Sequence, residues 1–190
     1  STSSGFYSSP ALGSDETVYS TCHDGFLYAL DPTDGTLKWE LRLADDGEGS
    51  SISSSPIVGE RDRLFVCTYD GVCSAINNEG EVIWSTNLQS EIVSTPVSCS
   101  NGVLYVIGRG EARMFQLDIA DGTLERSDHI GSDSLGSPVM SQEGTLYYAV
   151  TLNDIGGRSR LGSLSTDSFP SGSWPMYGHD HNRSGRQEGF

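Results

Sequence analysis

The fold is decided by residues 24–39, DGFLYALDPTDGTLKW, which combine an apolar stretch, two Asp-Gly pairs and a tryptophan. The part LYALDPTDGTLKW, at 27–39, returns as CSAINNEGEVIW at 73–84 and as MFQLDIADGTLER at 114–126. The chain is therefore built from an internal repeat, and the repeat has to be understood before any single residue.

Two further signals precede each copy of this segment. An apolar strand comes first, as TVYSTC, RLFVCT, VLYVIG and TLYYAV, the last at 145–150. A Ser-Pro or Thr-Pro pair comes before that strand, at Pro10, Pro56, Pro96 and Pro138, and the prolines are separated by 46, 40 and 42 residues. A period near forty with about four strands per unit is typical of β-propeller blades.

The residues within one unit favour strands and tight turns. Val, Ile, Tyr, Phe and Thr alternate with small residues, and no long window has helical periodicity. Asp-Gly and Glu-Gly pairs supply the positive φ angles that hairpin turns need. We predict an all-β propeller of about four four-stranded antiparallel blades, as half of a larger ring or as a small closed ring. The blades are expected at 8–53, 54–94, 95–136 and 137–175, followed by a C-terminal tail at 176–190.

These motifs resemble the pyrroloquinoline-quinone-like (PQQ-like) propeller repeats of bacterial extracellular and periplasmic proteins. The segment SWPMYGHDHNRSGR, at 173–186, is similar to a signature that accompanies such propellers. The resemblance implies that the tryptophan after each turn docks on the neighbouring blade, a role that Trp39 and Trp84 fit. Arg126 stands where the third tryptophan is expected, and Trp174 is a late candidate in the fourth unit.

Composition limits the partners and the location. The 26 acidic and 11 basic residues give a formal charge of −15, which repels phosphate backbones, so no nucleic acid partner is expected. No apolar run approaches the ~20 residues that cross a membrane, so no membrane insertion is expected. The acidic, Ser- and Gly-rich composition favours an extracellular or periplasmic location.

The four cysteines, Cys22, Cys67, Cys73 and Cys99, allow two disulfides in three connectivities. Cys67 and Cys73 flank the Asp70-Gly71 turn and are expected on adjacent strands. Because all four lie in predicted strands, where the register of cross-strand partners is not evident and disulfide geometry is demanding, we predict buried cysteines that are reduced or dispensable.

Other candidate site residues form no strong constellation. His179 and His181 are two residues apart, but neither they nor His23 and His129 form a set of three ligands at recognisable spacing. Four residues match the first half of a calcium loop that would end beyond Phe190; they are Asp180, Asn182, Ser184 and Gly185. GRGEAR, at 108–113, is predicted to be a bulged hairpin. We predict no catalytic, cofactor-binding or metal-binding residue, and no cofactor.

Two functional classes remain. We favour a non-catalytic scaffold or binding module that engages a protein partner, a second copy of the chain or an extracellular polymer such as a polysaccharide. The alternative is a fragment of a quinoprotein-type oxidoreductase with its catalytic blades outside this chain. Four blades make about half of a ring of eight, so we also expect another polypeptide to cover the open faces.

Overall fold

The computed structural model describes residues 5–44, 51–152 and 158–172. Within these ranges the chain forms antiparallel sheets and a single three-residue 3₁₀ turn, Glu60–Asp62, so the predicted all-β propeller fold is confirmed.

The strands are grouped in four blades. Blade 1 contains β1 (Ala11–Leu12), β2 (Val18–Thr21), β3 (Phe26–Leu30) and β4 (Leu37–Arg42). Blade 2 contains β5 (Ile57–Val58), β6 (Leu64–Cys67), β7 (Val72–Ile76) and β8 (Val82–Asn87). Blade 3 contains β9 (Val97–Ser98), β10 (Val103–Gly108), β11 (Arg113–Asp118) and β12 (Leu124–His129). Blade 4 contains β13 (Val139–Met140), β14 (Thr145–Leu152) and β15 (Arg158–Ser165).

The strands of each blade pair in chain order, as a meander. The short first strands of neighbouring blades lie beside one another, because β1 contacts β5 and β5 contacts β9. The blades therefore follow one another around a common centre, as in a propeller.

A meander places its turns alternately on two sides of the arc. The turns after the first and third strands of each blade lie on one side, which we call the turn face. The turns after the second strands, at 22–25, 68–71 and 109–112, lie on the other side, which we call the loop face. The connectors between blades, described at 51–56, 88–96 and 130–138, also lie on the loop face.

The core consists of three layers, each between two consecutive blades. Side chains from alternate positions of a strand enter opposite layers: Ile57 packs between blades 2 and 3, whereas its neighbour Val58 packs between blades 1 and 2. A third layer, which includes Met114 and Leu146, joins blades 3 and 4. Each inner blade therefore buries both of its faces, which a single four-stranded sheet cannot do alone.

Blade 4 has three strands within the described residues, where the sequence predicted four. After β15 the backbone N–H of Thr166 donates to the carbonyl of Gly144, 2.8 Å away. The chain then leaves the blade: Pro170 pairs with Cys99 of blade 3, and Gly172 lies against Gly59 of blade 2. This crossing segment, 166–172, covers first-strand turns of blades 4, 3 and 2 on the turn face. Trp174 lies outside the described residues, and the predicted blade boundaries stay a prediction.

No helix among the residues that the structure describes is long and apolar enough to span a membrane.

Candidate functional site

The residue before each repeated proline links one blade to the next. The backbone N–H of Ser9 donates to Ser55 Oγ at 2.9 Å, that of Ser55 to Thr95 Oγ1 at 3.0 Å, and that of Thr95 to Ser137 Oγ at 3.0 Å. The following proline disfavours helical backbone at this position and so supports the extended conformation of a strand entry. These four residues form a hydroxyl ladder across all four blades.

The hydroxyl one residue earlier has a different role, within its own blade. Ser8, Ser54 and Ser94 each donate to a carbonyl thirteen residues later, at distances of 2.7, 2.6 and 2.7 Å. This bond ties the blade entry to the end of its second strand or to the residue next to that end. Gly136 replaces the serine in blade 4, where Ser134 Oγ instead donates to the carbonyl of Ala149.

Trp39 and Trp84 dock on the next blade, in agreement with the role implied by the resemblance. The indole N–H of Trp39 donates to the Asn78 carbonyl at 3.0 Å, and that of Trp84 donates to the Ile119 carbonyl at 2.9 Å. Their rings lie against Gly80 and Gly122, where a Cβ would come within 3.0 and 2.5 Å of ring carbons, so each cradle requires a glycine.

Arg126 does not substitute for the third tryptophan. Its side chain is largely exposed, and its Nε lies 2.6 Å from Asp128 Oδ2 on the same strand. Within the described residues, the interface between blades 3 and 4 therefore has no indole dock and includes apolar packing and the hydroxyl ladder.

The prediction of reduced cysteines is wrong for Cys67 and Cys73, which form a disulfide. They are directly opposite each other in the β6–β7 hairpin, with Cα atoms 4.1 Å apart. This distance is below the usual range for disulfides but is close to the spacing of a non-hydrogen-bonded antiparallel pair. Cys22 and Cys99 are buried thiols, as predicted, and burial raises the pKa of the Cys99 thiol to about 12.

The histidine and calcium candidates are not brought together within the described residues. His23 packs its ring edge-on against Tyr7 in blade 1, and His129 is exposed at the end of β12. His179, His181 and the calcium-loop residues Asp180, Asn182, Ser184 and Gly185 lie outside the described residues. In ranges 5–44, 51–152 and 158–172, no three His, Cys, Asp or Glu side chains cluster closely enough to hold a metal ion.

The segment 108–113 forms a hairpin, but the predicted bulge is not there. β10 and β11 pair without a shift from Val103 and Asp118 to Gly108 and Arg113. The irregularity of this blade lies one strand further out, between β11 and β12 at Gln116 and Leu117. The hairpin turn instead matters because it carries Arg109 onto the loop face.

Arg109 is at the centre of a polar network that joins blades 2 and 3 and the connectors that follow them on the loop face. Its guanidinium lies 3.8 Å from Glu91 Oε2 and 3.8 Å from Asp133 Oδ1, and it reaches the hydroxyl of Tyr69. The Tyr69 hydroxyl donates to Glu91 at 2.8 Å, and this hydrogen bond raises the pKa of the tyrosine. The backbone N–H of Gly110 also donates to Asp133. Sequence reasoning missed this network, because its members are separated along the chain by up to 64 residues.

A groove of about 540 Å³ opens beside this network, between blades 2 and 3. Its wall combines charged groups with the apolar side chains of Leu88, Phe115 and Leu124. Gln89 and Glu111 line it with φ angles of 54° and 91°, which non-glycine residues seldom adopt. Such strained backbone tends to concentrate at functional sites. The mixed lining can contact both apolar and hydrogen-bonding groups of a ligand.

Comparison with known proteins identifies the family. The PQQ_2 family model, described as outer membrane protein assembly factor BamB, matches residues 4–78 and 23–165. The chain belongs to this family. A BamB of Moranella endobia is 28% identical over 158 residues, which are 77% of this chain and 39% of that protein.

Solved structures agree with the propeller fold of the PQQ_2 family. The BamB of Moraxella catarrhalis superposes with a TM-score of 0.61 at 17% identity, over 86% of this chain and 51% of that one. The quinohemoprotein alcohol dehydrogenase of Comamonas testosteroni gives 0.68 at 13% identity, over 90% and 36%. At these identities the similarity shows the fold alone. The chain spans about a quarter to two fifths of the curated relatives it matches, 24% and 39%.

Proposed function

We propose that the chain is a non-catalytic scaffold module that binds a protein partner through the loop face, in the bacterial periplasm. The observation that carries the proposal is the groove between blades 2 and 3, with Arg109 and its carboxylate partners at the rim. The relatives are named as assembly factors for outer membrane proteins, which supports a protein partner and a location in the cell envelope.

The two faces of the arc support this choice of surface. On the turn face, the crossing segment 166–172 lies over turns of three blades. On the loop face, backbone hydrogen bonds hold the loops in place and leave the groove open. Examples are the bonds from the N–H of Tyr69 to the carbonyl of Ser51 and from the N–H of Arg109 to the carbonyl of Glu91. A pinned surface loses little conformational entropy on binding.

The groove contains side chains suited to a polypeptide. Arg109 is about one third exposed and lies between two carboxylates, while Arg113 of β11 donates to Ser127 on the adjacent strand β12. Guanidinium groups can bind main-chain carbonyls or carboxylates of a partner, and the exposed carboxylates can accept its N–H groups. An extracellular polymer is the competing ligand, since a polysaccharide would use the same hydrogen-bonding groups.

Site-specific photo-crosslinking in cells tests the proposal. A benzoylphenylalanine in place of Gln89, at the groove, is expected to give an adduct that glycosidases leave unchanged and in which mass spectrometry finds peptides of another protein. The same residue in place of Glu79, exposed on the turn face of blade 2, is the matched control and is expected to give none. A Gln89 adduct that glycosidases remove and that contains no peptides of another protein, or equal adducts at both positions, would overturn the proposal.

Charge variants add a second readout. Arg109→Gln is expected to reduce the Gln89 adduct at least about threefold, because it removes the guanidinium from the rim of the groove. Arg61→Gln makes the same change of charge on the exposed turn face and should leave the adduct unchanged. An equal reduction by both variants would contradict a role for the loop face.

A further inference from the structure

The second strands of the four blades place an aromatic residue at the same register position. Tyr19, Phe65, Tyr105 and Tyr147 each pair with the first residue of their blade's first strand. The first three are at most 4% exposed, because the next blade covers them, whereas Tyr147 of blade 4 is 40% exposed. The same residue type at the same position therefore lacks a cover in the last blade.

A second repeat position, on the third strands, shows the same loss of burial in blade 4 with a larger difference in exposure. Leu27, Cys73, Met114 and Leu161 occupy equivalent places on the third strands, opposite Thr21, Cys67, Ile107 and Ala149. The first three are buried under the next blade, and Leu161 is 73% exposed. Blade 4 thus presents an apolar face of the type that packs against another blade.

Blade 1 presents the opposite half of such an interface. Leu30 corresponds to Ile76 and Leu117, which are buried against the preceding blade, but Leu30 itself is partly exposed. Leu30 lines a cleft of about 360 Å³ together with Phe6, Tyr28 and the exposed Leu37.

The same cleft of blade 1 contains Gly35, the counterpart of the two glycines on which Trp39 and Trp84 dock. An ideal Cβ on Gly35 would have no atom within 4 Å, whereas one on Gly80 or Gly122 would collide with an indole ring. The receiving cradle of blade 1 is therefore open.

We propose that a second copy of this chain covers both faces, with blade 4 of each copy packed on blade 1 of the other. The repeat supports this occupant, because blade 4 offers the type of face that the cleft of blade 1 accepts, and a second copy supplies both. Two such head-to-tail contacts can close into a two-fold ring. The chain matches 51% of the Moraxella BamB chain, so two copies correspond to that length. This proposal is independent of the loop-face ligand.

Light scattering coupled to size-exclusion chromatography tests the pairing. The chain is expected at twice its 20.4 kDa mass, and Leu161→Arg or Leu30→Glu is expected to give single chains. Leu161 is exposed and Leu30 is partly exposed within one copy, so neither change alters a fully buried position of that copy. Val82→Arg, at an exposed apolar site on the outer strand of blade 2, is the matched control and should stay paired.

Mixing the two single variants tests the head-to-tail arrangement. In a mixed pair one interface is unaltered and the other brings arginine against glutamate, so the doubled mass is expected to return. A wild-type chain of single mass at all concentrations would overturn the proposal. So would masses that grow beyond two copies, loss of pairing in Val82→Arg alone, or no recovery on mixing. Leu161→Arg retains the loop-face groove, so its Gln89 crosslink reports separately on the proposed function.

Discussion

The middle of the arc and its two ends use the same residue types in opposite environments. Between blades 2 and 3, Phe65 is fully buried, Trp84 docks on Gly122, and Cys67 and Cys73 fill the layer as a disulfide. At the ends, the corresponding Tyr147 and Gly35 are uncovered. The difference teaches that burial at a repeat position is set by the presence of a neighbouring blade. The stability of such an array is the sum of the stabilities of its blades and of the interfaces between neighbouring blades, and each end blade lacks one such interface.

The largest effect that would test this comparison comes from truncating the repeated aromatic residue. Phe65→Ala is expected to lower the free energy of unfolding by about 3–5 kcal/mol, because it removes a buried ring and leaves a cavity. Tyr147→Ala is expected to cost less than about 1 kcal/mol, because much of that ring is already in water. Urea unfolding of both variants, made on the Leu161→Arg background to exclude pairing, provides the measurement. Losses of similar size would show that blade 4 is covered in the single chain.

The glycines of the tryptophan docking sites allow a matched comparison, with a smaller expected loss of stability. Gly122 and Gly35 have φ angles of 76° and 72°, so an alanine at either position carries a similar backbone strain of about 1–2 kcal/mol. At Gly122 the added methyl also meets the Trp84 ring, which adds about 1–3 kcal/mol of overpacking. Gly122→Ala should therefore be the more destabilising and should shift the tryptophan emission. Equal losses of stability with unchanged emission would contradict the docking contact.

The Cys67–Cys73 disulfide within blade 2 is expected to contribute about 2 kcal/mol to stability, since it closes a short loop in the unfolded chain. Alkylation in denaturant without reductant is expected to label two of the four cysteines, Cys22 and Cys99, and all four after reduction. The folded protein at pH 8 should take up neither label quickly, because both thiols are buried and burial raises the pKa of Cys99 to about 12. Four labels without reductant would show that the bond is absent.

Local patterns predicted the fold, whereas features that depend on register or on distant segments were missed. The spacing of the prolines and of the Asp-Gly pairs fixes the repeat, and Trp39 and Trp84 follow from their place in it. The pairing of Cys67 with Cys73 needs the exact strand register, which two flanking residues do not determine. The Arg109 network joins turns of two blades and two connectors, which are far apart in the sequence. After Thr166 the described chain contacts Cys99 and Gly59, which lie far away in sequence and which no local pattern indicates.

The smallest effect concerns the hydroxyl ladder, which also has a middle and an end. Thr95→Val keeps the size of the side chain but removes the acceptor for the N–H of Ser55, and both residues are buried. An N–H left without an acceptor costs about 1–3 kcal/mol, so we expect a loss of stability near the lower bound and faster hydrogen exchange at Ser55. Ser9→Ala is the end variant: it retains its own N–H bond to Ser55, and no earlier blade within the described chain uses its hydroxyl, so a change below about 0.5 kcal/mol is expected. If the two variants lost equal stability, or if Ser55 exchange were unchanged in Thr95→Val, the ladder would not be holding the blades together. The repeated Ser/Thr-Pro signal would then act only through the backbone restriction that proline imposes.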